Sequence, residues 1–266
     1  MSRRGQIIRR VGQEHRQELV KLVKQAATMT SAWRIWDDLM FMCAAALSQP
    51  LRWVQKREDE YLRRIGQYDK KTQALFPMMF AEIVEALEQE GIIDVLEDIY
   101  MELEMYNHWK GQFFTPNPIC RMMAEMQFTD TAELIGQQGF ITVNDPCCGS
   151  GAMLIAFAQV CKDKDVDYQR GVLFVGQDVD PVVARMCYIQ MSLLGMPGYV
   201  IIGNSLLHPP VAGRTHPECE YLYTPTYYIH GFQWRRQCES VEVIPVPETT
   251  VNGTDGQESS LNVKQV

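Results

Sequence analysis

The chain has 266 residues, 46% of them hydrophobic, which is enough for one sizeable core and a smaller accessory unit. A formal net charge of −8 excludes a protein that is basic throughout, so any contact with nucleic acid has to be local. No apolar run reaches the roughly 18 residues of a membrane span, the basic start Met1–Arg10 lacks the apolar stretch of a secretory signal, and eight cysteines without regular spacing read as reduced thiols of a cytoplasmic protein.

Residues from about 12 to 110 read as helical. Arg3, Arg4, Arg9, Arg10, Arg16, Lys21 and Lys24 crowd the start, and Arg52, Lys56, Arg57, Arg63, Arg64, Lys70 and Lys71 form a second basic zone. Acidic residues then accumulate from Glu82 to Glu104, Asp94 and Glu97 among them. Two readings stay open for this pattern: solvated helix faces, or a basic surface for phosphates with an acidic face turned elsewhere. Trp33, Trp36, Leu39, Met40 and Cys43 begin an amphipathic helix whose end is marked by Pro50, and these Trp and Met side chains read as core. Met79, Ile83, Leu87, Ile92, Val95, Leu96, Ile99 and Leu103 recur at helical spacing, with Gly91 dividing them into two helices.

After Gly111 the texture changes. Phe140–Val143, Gly171–Asp178 and Tyr199–Asn204 are short buried strands, and helices over Ala152–Cys161 and Pro181–Leu194 separate them. Strand and helix in alternation predict a parallel sheet flanked by helices. The expected organisation is a helical domain over 1–110, an α/β domain over 111–246 and a flexible polar tail over 247–266.

Between the first strand and its helix stands TVNDPCCGSGAML, Thr142–Leu154. In an α/β sheet, ligands sit beyond the carboxyl ends of the strands, and glycines there permit a sharp turn and close approach to the backbone. Asp178, ending the next strand, is placed to accept hydrogen bonds from the two hydroxyls of a ribose. The pair Cys147 and Cys148 reads as small side chains filling space below the loop. Cys219, Cys238, His208, His216 and His230 lack regular ligand spacing, so no metal is expected.

Four stretches occur in order: KGQFFTP (Lys110–Pro116), DPCCGSGAML (Asp145–Leu154), GQDVDP (Gly176–Pro181) and GNSL (Gly203–Leu206). Together they resemble the adenine-N6 DNA methyltransferases, most of all the modification subunits of type I restriction-modification systems. The resemblance spans roughly residues 110 to 207. It implies a Rossmann-like methyltransferase sheet, truncated here, with S-adenosylmethionine as cofactor, DNA as substrate, and a specificity subunit or self-association. By position, Phe114, Thr115 and Pro116 would border the methionine end of the cofactor. Asp145, Gly149 and Gly151 would form the loop beneath it, Asp178 would hold the ribose, and Asn204 would face the adenine edge.

The resemblance also implies an Asn/Asp-Pro-Pro-Tyr/Phe motif after a fourth strand, where two carbonyl groups grip the target amine and an aromatic ring stacks on the extruded base. That motif is absent. With Tyr221–Tyr223 as the fourth strand, Thr224, Pro225, Thr226 and Tyr227 occupy its place. Thr224, Pro225 and Tyr227 are therefore the candidate catalytic residues. Gly231–Arg236, GFQWRR, reads either as a packed Trp flanked by surface charge or as a nucleic-acid contact. Two functions follow: a DNA adenine-N6 methyltransferase or a component of one, and an S-adenosylmethionine-binding protein that regulates or binds DNA without catalysis.

Overall fold

A computed structural model of the protein describes residues 3–103, 115–211 and 214–239. The side chains of Arg3, Arg4, Arg9 and Arg10, Phe114, the strand-like Ser240–Val246 and the expected tail over 247–266 lie outside the described part.

Five helices come first: α1 (Arg3–Ala26), α2 (Ala32–Ser48), α3 (Gln55–Ile65), α4 (Lys70–Glu90) and α5 (Val95–Glu102). Their starts follow capping chemistry. Ser31, Asp69 and Asp94 accept the backbone N–H groups of Arg34, Thr72 and Glu97 respectively, each satisfying a donor that the first helical turn leaves open. Gly91 ends α4 at a φ of 81°, so the expected break between two helices is there. Arg16 of α1 clasps Glu90 at 2.5 Å and also Asp98, tying the first helix to the ends of α4 and α5.

The α/β part follows as α6 (Asn117–Gln127), α7 (Thr131–Gln138), β1 (Ile141–Asp145), α8 (Ala152–Asp163), the short α9 (Tyr168–Gly171), β2 (Val172–Asp178), α10 (Pro181–Leu193), β3 (Gly198–Ile202), β4 (Glu220–Tyr223), α11 (Pro225–Ile229) and α12 (Phe232–Glu239). Among the described residues the sheet has the order β1-β2-β3-β4. β1, β2 and β3 are parallel, with Asp145 opposite Gly176 and Asp178 opposite Ile202. One face of the sheet packs under α8 and α10, and the buried side chains of α1, α2, α4 and α5 join that same core. Trp36 and Met40 are fully enclosed there, as expected, whereas Trp33 is exposed. The other face is covered by a smaller aromatic cluster of Phe140, Tyr199, Tyr227 and Phe232 around Leu173, Val175 and Ile201. β2 is buried on both faces, as a central parallel strand must be, while Thr142 and Asn144 of β1 face solvent.

The fourth strand departs from expectation. β4 runs antiparallel to β3, with Ile202 opposite Glu220 and Tyr199 opposite Tyr223. The physical reason lies in the connection. A parallel return needs a crossover to the far end of the sheet, usually through a helix, and no helix lies between Ile202 and Glu220 among the described residues. The chain therefore turns back along the same edge. Thr224, next after β4, ends beside Gly198 at the amino end of β3, where its N–H donates to the Gly198 carbonyl at 2.9 Å. Its hydroxyl donates to Met196 O at 2.8 Å and accepts from Gly198 N at 3.0 Å. It also caps α11. Thr224→Val keeps the shape and deletes these bonds. It should cost about 1–3 kcal/mol of stability, the cost of stranding buried polar groups, as measured by urea unfolding.

Candidate cofactor site

The loop after β1 is shaped by its glycines and stitched to β2. Gly149 and Gly151 have φ of 52° and 100°, a region that side chains disfavour. A Cβ on Gly151 would also lie 2.9 Å from Cys187 Sγ, so this glycine lets the start of α8 approach α10 closely. Cys148 N–H donates to Gln177 O at 2.9 Å, and Gly149 N–H donates to Asp178 Oδ2 at 2.9 Å. Cys148 is buried and its sulfur packs near Gly176, as expected for a filler, but Cys147 is exposed. Successive residues in a tight turn point apart, so the pair cannot share one role.

Asp145, Gly149, Gly151, Asp178 and Asn204 all stand at the carboxyl edge of β1–β3. Asp178 Oδ1 accepts from Asp180 N at 2.9 Å and Oδ2 from Gly149 N, and the Val179 backbone also acts on the carboxylate, whose roughly four acceptor sites still leave room for an incoming hydroxyl. Burial pushes the Asp178 carboxyl above its usual range, against the opposing pull of these backbone donors. Asp145 is raised by burial too, and the charge of Asp178 adds to the shift. Asn204 is exposed. Its Oδ1 accepts from Leu206 N at 2.9 Å and Leu207 N at 3.3 Å, while its amide nitrogen has no protein partner among the described residues.

Thr115 and Pro116 begin α6, with Pro116 as its cap and Cys120 Sγ bonded to Thr115 O at 3.2 Å. Burial, then the charges of Glu97, Asp94 and Asp145, push the Cys120 thiol up to about 11. The first turn of α6 therefore shares its electrostatic surroundings with the loop. Phe114 lies outside the described residues.

Residues 91–241, more than half of the chain, match the family pattern of N-6 DNA methylases. The chain belongs to the N-6 DNA methylase family. S-adenosylmethionine is therefore its cofactor and DNA its substrate class. Among solved structures, the chain is similar to a Listeria monocytogenes protein assigned to the class I S-adenosylmethionine-dependent methyltransferases. That likeness has 16% identity, covers 83% of this chain and 70% of the other, and has a TM-score of 0.45. It is also similar to the methyltransferase subunit of a type I restriction-modification system from Streptococcus thermophilus. Here the identity is 18%, the coverage 68% of this chain and 42% of the other, and the TM-score 0.31. No curated protein matches the chain.

For an N-6 DNA methylase, the position of Thr224, Pro225 and Tyr227 is the main discrepancy. The structure does not bring them to the loop. Five residue steps along β3 and its continuation separate Gly198, beside Thr224, from Gly203 at the carboxyl edge, roughly 16 Å at about 3.3 Å per residue. Thr224 is fully buried, and Tyr227, only 6% exposed, packs among Tyr199, Tyr223, Tyr228 and Phe232. They cap and fill; the antiparallel course of β4 carries them away from the cofactor edge.

Three residues of the second basic zone are engaged by the fold. Arg57 bonds Glu220, Arg63 bonds Glu60, and Arg64 reaches Asp37, Asp38 and Glu60. Arg235 of the GFQWRR stretch donates to Gly139 O and Arg170 O and lies over Phe140 and Phe232, whereas Trp234 is exposed. The packed Trp with charged flanks is thus reversed: the Arg is packed and the Trp is outside.

Sequence reasoning missed the group behind the loop. Ser150 Oγ donates to Asp94 Oδ2 at 2.5 Å, with Glu97 Oε2 at 3.3 Å. Gln190, fully buried in α10, donates through Nε2 to Asp94 Oδ1 and Ser150 O, and accepts through Oε1 from Val95 N and Leu96 N. The signals were present: Asp94-Val-Leu-Glu97 has the spacing of a capping box, and Gln190 interrupts an apolar helix. Burial raises both carboxyls, and the neighbouring Asp94 helps hold Glu97 protonated up to about 8. Gln190→Leu removes one of the donors to Asp94 and takes this partner from the Ser150 carbonyl and from two N–H groups, and should cost about 2–4 kcal/mol in urea unfolding. Folded Glu97 keeps a proton that the unfolded chain releases near 4.5, so stability should fall as pH rises between those values and level off above about 8. Melting temperatures from about pH 5 to about pH 9 should show this slope in the wild type and a shallower one in Glu97→Gln.

Proposed function

We propose that this N-6 DNA methylase binds S-adenosylmethionine at the carboxyl edge of β1–β3 and acts as a component of a DNA adenine-N6 methyltransferase. Asp178 carries the reading. It fixes the glycine loop through Gly149 and retains open acceptor sites for ribose hydroxyls at the end of β2. Asp145, Gly149 and Gly151 form the floor beneath the methionine part, bordered by Thr115 and Pro116, and the Asn204 amide faces the adenine. The bound cofactor supplies an electrophilic methyl group on its sulfonium.

An exocyclic adenine amine is a poor nucleophile because its lone pair is delocalised into the ring. It needs two acceptors that localise the pair, and Thr224 and Tyr227 stand at the opposite edge. The acceptors therefore come from elsewhere. A specificity subunit or a second copy of the chain is the proposed source, in keeping with the lateral edge of β1, which pairs with no strand among the described residues. A groove of about 870 Å³ along α3 and the approach to β4 offers the exposed Arg52 and Lys56, which have no ion-pair partner among the described residues, to phosphates. The cytoplasm is the proposed location, where DNA meets the seven described thiols in reduced form.

The same placement of Thr224–Tyr227 favours a second reading, an S-adenosylmethionine-binding DNA-associated protein without catalysis. Calorimetry with S-adenosylmethionine and transfer of labelled methyl to adenine-containing DNA separate the two. Cofactor binding should weaken about 10- to 100-fold in Asp178→Ala, the worth of hydrogen bonds to a charged group. Adenine methylation abolished by that substitution supports the methyltransferase reading. Binding without methylation, alone or with candidate partner subunits, leaves the second. Absence of cofactor binding overturns both.

A further inference from the structure

We propose that His208, His216 and Glu218 form a binding site for a zinc-type divalent cation that fastens the connection between β3 and β4 across the carboxyl edge of the sheet. One ring nitrogen of each histidine and a carboxylate oxygen of Glu218 lie within 4.8 Å of one another. His208 Nε2 stands 3.0 Å from Glu218 Oε2. A tetrahedral ion with bonds of about 2.0–2.1 Å holds its ligand atoms roughly 3.3 Å apart, so this pair already has the separation that a shared ion requires. Two imidazoles and a carboxylate match the donor preference of zinc and leave a fourth position for water.

Backbone bonds hold both histidines in place, while His208 Nε2 is paired with Glu218 Oε2. His208 N–H donates to Asn204 O at 2.8 Å, and His208 O accepts from the fully buried Gln177 side chain at 3.0 Å. His216 N–H donates to the Tyr221 hydroxyl at 3.0 Å. The two rings stack with centroids 3.6 Å apart and an interplanar angle of 19°. A ring nitrogen's lone pair lies in its ring plane, so a shared ion would turn the two rings out of this stack about their side-chain bonds while their backbones stay in place. His216 Nδ1 now accepts from Glu218 N at 3.2 Å, so ligation through Nδ1 replaces that bond, and ligation through Nε2 moves the ring proton to Nδ1 and likewise ends it. Glu218 is exposed and free to swing onto the ion. Cys219 does not belong to the set, because its sulfur is turned onto Gly203, where a Cβ would meet it at 2.4 Å.

The consequence is local order. The ion would join the turn after β3, which contains Asn204, to the turn before β4, and His216 and Glu218 also line the groove beside Arg52 and Lys56. The site stands on its own ligand geometry and does not require S-adenosylmethionine to bind.

Titration of the full chain with Zn²⁺ after treatment with a chelator tests it. One stoichiometric site is expected, with affinity lowered at least about tenfold in His208→Ala, His216→Ala and Glu218→Gln, and unchanged in Cys219→Ser. Co²⁺ in place of Zn²⁺ should give tetrahedral absorption bands without a sulfur-to-metal charge-transfer band. Zn²⁺ should raise the melting temperature of the wild type and not of His216→Ala. Both chelated proteins should melt alike, which shows that the variant folds. Absence of a stoichiometric site, binding that persists in the histidine variants, or a thiolate signature removed by a cysteine substitution overturns the proposal.

Discussion

The Gln190 amide is the interaction on which the rest of the molecule depends. Its four hydrogen-bonding positions are all occupied, two by backbone N–H groups at the start of α5 and two by Asp94 and the carbonyl of Ser150. One side chain thus binds the amino-terminal helices, the glycine loop and the helix after β2 at a single buried point. A polar contact of this kind is worth little when complete and costs much when one member is missing, so it specifies the arrangement more than it stabilises it. The helical region and the sheet are accordingly not loosely apposed. Their apolar side chains run together in one core, and the loop expected to hold the cofactor rests on both.

The direction of β4 governs what chemistry the chain can perform. Binding determinants gather where three parallel strands end, since each strand delivers its last residue to the same edge. A strand running the other way delivers its last residue to the far edge, whatever that residue is. Thr224 is therefore kept from the carboxyl edge of β1–β3 by topology before its identity matters, and it caps α11 instead.

The shape of the glycine loop was legible because its signals are local. Glycines at positive φ, an acid ending a strand and the alternation of strand and helix each follow from spacing within a few residues, and Gly149, Gly151 and Asp178 stand where that logic put them. The rest depends on contacts that spacing does not encode. Nothing in Glu220–Tyr223 states which way the strand will run; the lack of a helix in the preceding connection does, and that is a property of its neighbours. Asp94 and Glu97 belong to a run of acids that looks solvated, yet Asp94 is buried against Ser150 and Gln190 and Glu97 is half-buried beside Ser150. His208 and His216 have no recognisable ligand spacing because they meet across a turn.

Among the described strands, β1 is held on one side only. β2 pairs with it, Thr142 and Asn144 face water, and no described strand lies along its other edge. Short length and polar side chains are the usual means by which a free edge avoids indiscriminate pairing. Yet Asp145 is the last residue of that strand, so the carboxylate beneath the expected cofactor is positioned by the least restrained strand of the parallel set. A polypeptide that paired along this edge would stiffen the strand and with it the floor of the pocket. By thermodynamic reciprocity, whatever tightened the pocket would then strengthen the pairing by the same factor, making assembly state and ligand occupancy two readings of one equilibrium.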